Sequence, residues 1–245
     1  AVVACLAKLA LGSKSILGVA MPSQFSSVHS LKDAEELAKS LQIEYQVHPI
    51  KFIYSSVLME LKSSFQGVLP DVTEENIQAR LRAVFLTALA NKRKSLVLTT
   101  GNKSELAVGF CTTYGDMAGA LAPIGDVYKT QVYELARYIN SRYGKWIPQS
   151  TLTKEPSAEL RPDQKDQDSL PPYDELDAIL GAYFERLKDK KALLKQGFKS
   201  ETVDRVLNLI LTTEFKRRQA APALKVTNKA FGLGRRVPIA KKDFE

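Results

Sequence analysis

The run Leu98-Thr99-Thr100-Gly101-Asn102-Lys103-Ser104-Glu105-Leu106-Ala107-Val108-Gly109 decides the fold. With the residues just before it, its start reads as an apolar strand, 95–100, that ends in hydroxyls. Glu105 follows closely. A second run, Ala122-Pro123-Ile124-Gly125-Asp126-Val127-Tyr128-Lys129-Thr130-Gln131, places Lys129 near the start of another helix. Open α/β sheets bind ligands outside the carboxyl ends of their strands, which is where Thr100 falls. Hydroxyls, a carboxylate and a lysine at such an edge suit a nucleotide triphosphate and a metal. Each also has an ordinary role: a Thr-Thr-Gly turn, a solvated helix acid, a surface lysine.

Outward from this edge, strand and helix alternate, which argues for a parallel sheet with helices on its faces. Residues 1–11 predict a helix ending at Gly12, and 15–21 predict a short apolar strand. Ile43, Tyr45 and Val47 alternate as a second strand, stopped by Pro49. Between them Ser30 predicts a helix cap, with Asp33 completing a capping box, and Ala34, Leu37, Ala38 and Leu41 form the inner stripe. Residues 55–65 predict a short helix. A longer one starts at Thr73 and turns Ile77, Leu81, Val84, Phe85, Ala88 and Leu89 inward, while Asn76 and Arg80, four apart, share a face. Asp126 predicts the cap of the next helix, which buries Val132, Leu135, Ala136 and Ile139 and ends near Gly144. Residues 173–188 and 200–217 predict two more helices, the second with Val203, Val206, Leu207, Ile210 and Leu211 on its apolar face. The polar, proline-bearing segment before them, 150–172, reads as a mobile lid or a solvated linker.

Composition narrows the classes. The chain has 245 residues, of which 44% are hydrophobic and 25% charged, ordinary for one globular α/β domain. No run reaches the roughly 18 apolar residues that a membrane-spanning helix needs. The apolar start is interrupted by Lys8 and makes a poor signal peptide. Two cysteines, Cys5 and Cys111, form no disulfide framework, so a cytoplasmic setting is expected. With two histidines, His29 and His48, a Ser-His or Cys-His catalytic pair is not expected, nor is a zinc site. The formal net charge of +8 is concentrated in a basic C-terminal tail, 216–245, that includes Lys216, Arg217, Arg218, Lys225, Lys229, Arg235, Arg236, Lys241 and Lys242. No stacking aromatics accompany it, which fits phosphate contact or a subunit interface better than nucleic acid.

Together with Pro156-Ser157-Ala158-Glu159-Leu160-Arg161-Pro162-Asp163-Gln164, the two opening runs resemble the synthetase domain of the NAD synthetases, and the resemblance covers nearly all of 1–245. It implies an adenine nucleotide α-hydrolase-like, Rossmann-like fold: a doubly wound, mostly parallel sheet with helices on both faces. In that family a Ser-Gly-Gly-x-Asp-Ser loop precedes the first helix and wraps the ATP pyrophosphate. This sequence starts after it, so an upstream portion holding the first strand and phosphate loop is expected.

The resemblance also implies roles. Thr100, Ser23, Lys129 and Ser157 would contact ATP; Glu105 and Ser157 would face Mg2+; Asn76, Arg80, Glu105, Thr113 and Lys216 would hold deamido-NAD, the first two across a dimer interface. Asp116 and Lys129 would be the catalytic pair, with Asp116 steering or deprotonating ammonium. The segment bordering the adenosine pocket departs from the family pattern at Gln24 and Phe25. The implied reaction is ATP-dependent amidation of deamido-NAD to NAD through an adenylated intermediate, releasing AMP and pyrophosphate. The implied nitrogen source is ammonia, supplied from glutamine by an upstream glutaminase domain, and the implied assembly is a homodimer or larger homo-oligomer. Two alternatives stay open from the residues: another ATP-pyrophosphatase that adenylates a different acceptor, and a non-catalytic nucleotide-binding module.

Overall fold

The computed structural model describes residues 1–232 and 234–239. The chain forms two compact units, Ala1–Ser95 with Tyr133–Asp168, and Leu96–Val132 with the segment from Ser169 onward. Lys241 and Lys242 of the basic tail lie outside the described residues.

The first unit is built on two parallel strands, β1 (Leu17–Ala20) and β2 (Glu44–Val47), with Leu17 opposite Glu44 and Ala20 opposite Val47. Helix α1 (Val2–Leu11) precedes β1, and α2 (Val28–Leu41) forms the crossover that parallel neighbours require and packs on both strands. The cap of α2 is Ser27, whose hydroxyl accepts from the Ser30 N–H. Ser30 therefore lies inside the helix. Asp33 is no capping acid: it is buried, and its carboxylate accepts from the Ser150 hydroxyl and pairs with Lys154.

Helix α3 (Lys51–Leu61) packs against the long α4 (Val72–Arg93). Asp71 and Glu74 form a reciprocal capping box at the start of α4. The buried face of α4 is Gln78, Ala79 and Ala83 rather than the predicted apolar stripe, and Val84 is exposed. Small residues and one amide allow closer approach there than the bulky stripe would.

In the second unit the predicted strand 95–100 contracts to a single parallel bridge, Leu98 opposite Leu121, flanked by a hydrogen bond from Thr99 N–H to the Leu121 carbonyl. A further parallel bridge joins Ala122 to Ala223. Gly119 permits the first pairing, because a Cβ there would sit 2.9 Å from the Val97 carbonyl oxygen. The fold is thus α/β with parallel pairing throughout the described residues.

Helix α5 (Lys103–Val108) follows, and α6 (Lys129–Tyr143) starts in this unit. After α7 (Gln149–Thr153), the centre of the second unit is α8 (Tyr173–Phe184), nearly all of it buried. It packs with α5, α9 (Lys190–Lys195) and α10 (Ser200–Thr212). Val203, Val206, Leu207, Ile210 and Leu211 are all buried, so the 3.6-residue spacing read from the sequence is the core face of α10. The short α11 (Glu214–Arg217) carries Arg217 inward, where it donates to the Leu106, Ala107 and Ile210 carbonyls. The start of the basic tail is therefore packed protein, and the helix predicted over 200–217 breaks at Thr213.

Candidate active site

In the second unit, α5 opens with a capping box. Asn102 Oδ1 accepts from the Glu105 N–H, and Glu105 Oε2 accepts from the Asn102 N–H at 3.1 Å. The other Glu105 oxygen, Oε1, accepts from Lys129 Nζ at 3.0 Å. The Lys129 ammonium also stands 5.0 Å over the Tyr173 ring, a cation–π distance. Both side chains of this pair keep 18% of their surface open, so the charges are available to a ligand. Thr99 is buried and Thr100 exposed, which leaves Thr100 as the solvent-facing hydroxyl of the dipeptide.

Neighbouring Lys103 does the opposite. It is wholly buried and holds Asp126 at 2.9 Å, Glu185 at 2.7 Å and the Thr227 hydroxyl at 2.7 Å. Asp126 also accepts from the Val226 and Thr227 N–H groups. Those hydrogen bonds hold its carboxyl below the ordinary carboxylate range against the burial that would raise it. Asp126 thus clamps the C-terminal segment and does not cap α6.

The cap of α6 is a pair the sequence did not single out. Ser104 Oγ accepts from the Lys129 N–H at 2.8 Å and donates to Asp177 Oδ1; Asp177 Oδ2 accepts from the Thr130 N–H at 2.8 Å. Burial pushes the Asp177 carboxyl up, opposed by these donors. A carboxylate already occupies the α6 N-terminus, so the helix dipole there is answered by Asp177.

The loop 109–118 carries Thr113 and Asp116. Gly109 ends α5 at φ +67°, and the Thr213 side chain leaves no room for a Cβ. Lys216 Nζ donates to the Gly109 and Cys111 carbonyls, both at 2.7 Å, and so staples this loop. Asp116 is exposed as a residue, and its carboxylate Oδ1 accepts from the N–H of buried Thr112 at 2.6 Å. The residue is open on one side, yet desolvation by the protein around the carboxyl, with a contribution from the Glu105 charge, pushes it up to about 6. Burial likewise pushes the Cys111 thiol up to about 12, which makes it a poor nucleophile.

The remaining sequence candidates lie in the first unit. Ser23 is a turn former: its hydroxyl accepts from the Phe25 N–H, and its own N–H donates to Ser26. Gln24 and Phe25 line a cavity of about 470 Å³ with Tyr54, Leu58 and Pro162. Asn76 is half-buried and Arg80 exposed on α4. Ser157 is exposed, and its hydroxyl accepts from the Glu159 N–H.

Glu159 is a residue the sequence did not pick out. Its carboxylate accepts from Ser27 N–H, Ser27 Oγ and Ser30 Oγ at the start of α2. Leu160 and Arg161 are tied to α4 through Gln78 and Glu75. The segment predicted as structureless thus contains α7, a 3-10 turn at Asp166–Asp168 and many polar ties.

Among the described residues no three acidic, histidine or cysteine side chains converge on one point. Glu105, partly open beside Lys129, is a single carboxylate there.

Comparison with known proteins matches this chain to one family. The sequence profile of NAD synthase covers residues 1–220. The glutamine-dependent NAD(+) synthetase of Synechocystis is 52% identical over 98% of this chain. That stretch is 43% of the Synechocystis protein, so the chain spans less than half the length of the curated relatives it matches. A glutamine-dependent NAD+ synthetase from Acinetobacter baumannii, solved with ADP, is similar over 97% of this chain and 43% of its own, with 40% identity and a TM-score of 0.62. An NMN synthetase from Francisella tularensis is similar over 89% of this chain and 82% of its own, with 28% identity and a TM-score of 0.73. On the match over residues 1–220, the chain belongs to the NAD synthase family.

Proposed function

We propose that this chain is the synthetase part of a glutamine-dependent NAD synthetase, a C–N ligase that amidates deamido-NAD with ATP. The observation that carries the reading is the Glu105–Lys129 pair, which keeps 18% of its surface open, with Thr100 exposed on the segment that leads into α5. The family match and the similarity to an ADP-bound synthetase support it. The chain's 43% share of its relatives supports an upstream domain that releases ammonia from glutamine.

The nicotinate carboxylate oxygen attacks the α-phosphorus of ATP, and pyrophosphate leaves. Lys129 balances charge on the phosphates, and Thr100 and Ser157 hold their oxygens. Glu105 and Ser157 would hold Mg2+, which would supply further charge neutralisation to the triphosphate. Ammonia then attacks the carbonyl carbon of the acyl-adenylate, its surplus proton passes to the Asp116 carboxylate, and AMP leaves. Asn76, Arg80, Thr113 and Lys216 hold the dinucleotide. In the NAD synthetases the first two reach it across a dimer interface, and the assembly proposed for this chain is a homodimer. A single monomeric species in sedimentation at micromolar concentration would contradict the homodimer. The segment 150–172 closes over ATP and excludes water. The setting is cytoplasmic.

Lys129→Ala in the whole polypeptide tests the reading. We expect AMP formation to fall about 10²–10³-fold, the size typical of deleting one preorganised charge at a transition state, with circular dichroism unchanged. Wild-type turnover by the variant would remove Lys129 from the site. Nicotinate mononucleotide, the acid whose amide is NMN, is the competing acceptor to include.

A further inference from the structure

The proposed reaction needs the Lys129 ammonium held to a fixed place, yet lysine is a long chain with four rotatable bonds. The structure ties Lys129 at both ends to consecutive residues of α5. Glu105 Oε1 holds the ammonium at 3.0 Å, and Ser104 Oγ holds the backbone N–H of the same lysine at 2.8 Å. Ser104 is itself fixed. It is fully buried, and its hydroxyl proton goes to Asp177 on α8. The second Asp177 oxygen takes the Thr130 N–H, so the first two residues of α6 hang from one carboxylate–hydroxyl pair. Asp177 faces Ser104 and Thr130 on one side of α8, and Tyr173, one turn earlier, lies under the Lys129 ammonium.

Resting on the reading of Lys129 as a site residue, we propose that Ser104 and Asp177 are positioning residues for the synthetase reaction, acting through Lys129. Neither is assigned contact with a substrate. The hydroxyl serves because it donates and accepts at once: its proton satisfies the buried carboxylate while its lone pair caps the helix. Alanine at 104 leaves Asp177 short of one donor and the Lys129 N–H without its acceptor. The start of α6 then has no single register, and the ammonium loses its fixed distance from Glu105. A displacement of about 1 Å at a catalytic group can cost about 100-fold in rate.

The test uses the whole polypeptide with Ser104→Ala, Asp177→Asn, Asp177→Ala and Lys129→Ala, and the double variant Ser104→Ala/Lys129→Ala. Melting temperature, kcat for AMP formation and KM for ATP are measured for each. We expect Ser104→Ala and Asp177→Ala to lower kcat about 10–100-fold. Asp177→Asn, which keeps one acceptor oxygen, should lose less. The decisive readout is coupling: with Lys129 already alanine, adding Ser104→Ala should change kcat by less than about twofold, as residues acting as one unit do not combine multiplicatively. Should Asp177→Ala fail to fold, Ser104→Ala and Asp177→Asn carry the test. Unimpaired turnover by Ser104→Ala and Asp177→Asn, while Lys129→Ala is impaired, overturns the positioning role alone. Losses that multiply with that of Lys129→Ala overturn it too, because they mark a structural effect independent of the lysine. Wild-type turnover by Lys129→Ala overturns the functional reading and this proposal together.

Discussion

At the scale of single residues, Asp116 makes the sharpest pH prediction. Its carboxyl is pushed up to about 6, and a proton acceptor must be ionised, so turnover should rise with pH through about 6. Asp116→Asn should lower the rate and abolish that limb, while its side-chain oxygen keeps the hydrogen bond from Thr112. The sign for stability is reversed. The fold favours the neutral acid, so this contribution is full below the ordinary carboxylate value of about 3.9 and fades as pH passes 6. Asp116→Asn should therefore melt higher than wild type at pH 8 and the same at pH 3.5. A pH–rate limb that survives in the variant would take the base role from Asp116. Part of the local structure was legible in the sequence: Lys129 starts α6 as its run indicated, and Glu105 lies in the first turn of α5. Ser104 and Asp177 were not legible, because 73 positions separate them and nothing local pairs a buried serine with a distant acid.

At the scale of elements, two misread caps share one cause. Ser30 and Asp126 have the residue types that cap helices, but Ser27 and Ser104 sit where the backbone needs an acceptor. Tertiary partners claim the others: Asp126 goes to Lys103, and Ser30 goes to Glu159. The amphipathic α10 was readable because its partner is an apolar core, whereas α4 buries Gln78 and alanines that carry no hydrophobic signal. The Lys103–Asp126 pair has no exposed surface, so Asp126→Ala leaves buried Lys103 to Glu185 and takes the acceptor from the Val226 and Thr227 N–H groups. We expect it to cost about 3–5 kcal/mol, read as a lower denaturant midpoint; a loss under about 1 kcal/mol would show that Glu185 alone satisfies the lysine. The 150–172 lid makes a separate prediction. Glu159→Ala removes the carboxylate that holds the Ser27 and Ser30 groups, and trypsin should then cut after Lys154 or Lys165 faster than in wild type. An unchanged cleavage rate would mean that other ties hold the segment.

At the scale of the whole molecule, the sequence pattern gave the α/β class and its parallel pairing, while the division into two units was not visible in composition. Strand length was overread. The run 95–100 predicts a strand, but among the described residues it pairs at the single bridge Leu98–Leu121. The chain covers 43% of the Synechocystis synthetase, and the account assigns nitrogen supply to the remainder of such a polypeptide. The most direct measurement incubates the whole natural polypeptide with ATP, Mg2+ and deamido-NAD, with ammonium or glutamine in parallel, and follows adenine products by chromatography. The account predicts AMP and NAD in equal amounts from both nitrogen donors. NAD from ammonium alone would contradict glutamine dependence, and the absence of AMP with either donor would contradict the synthetase assignment itself.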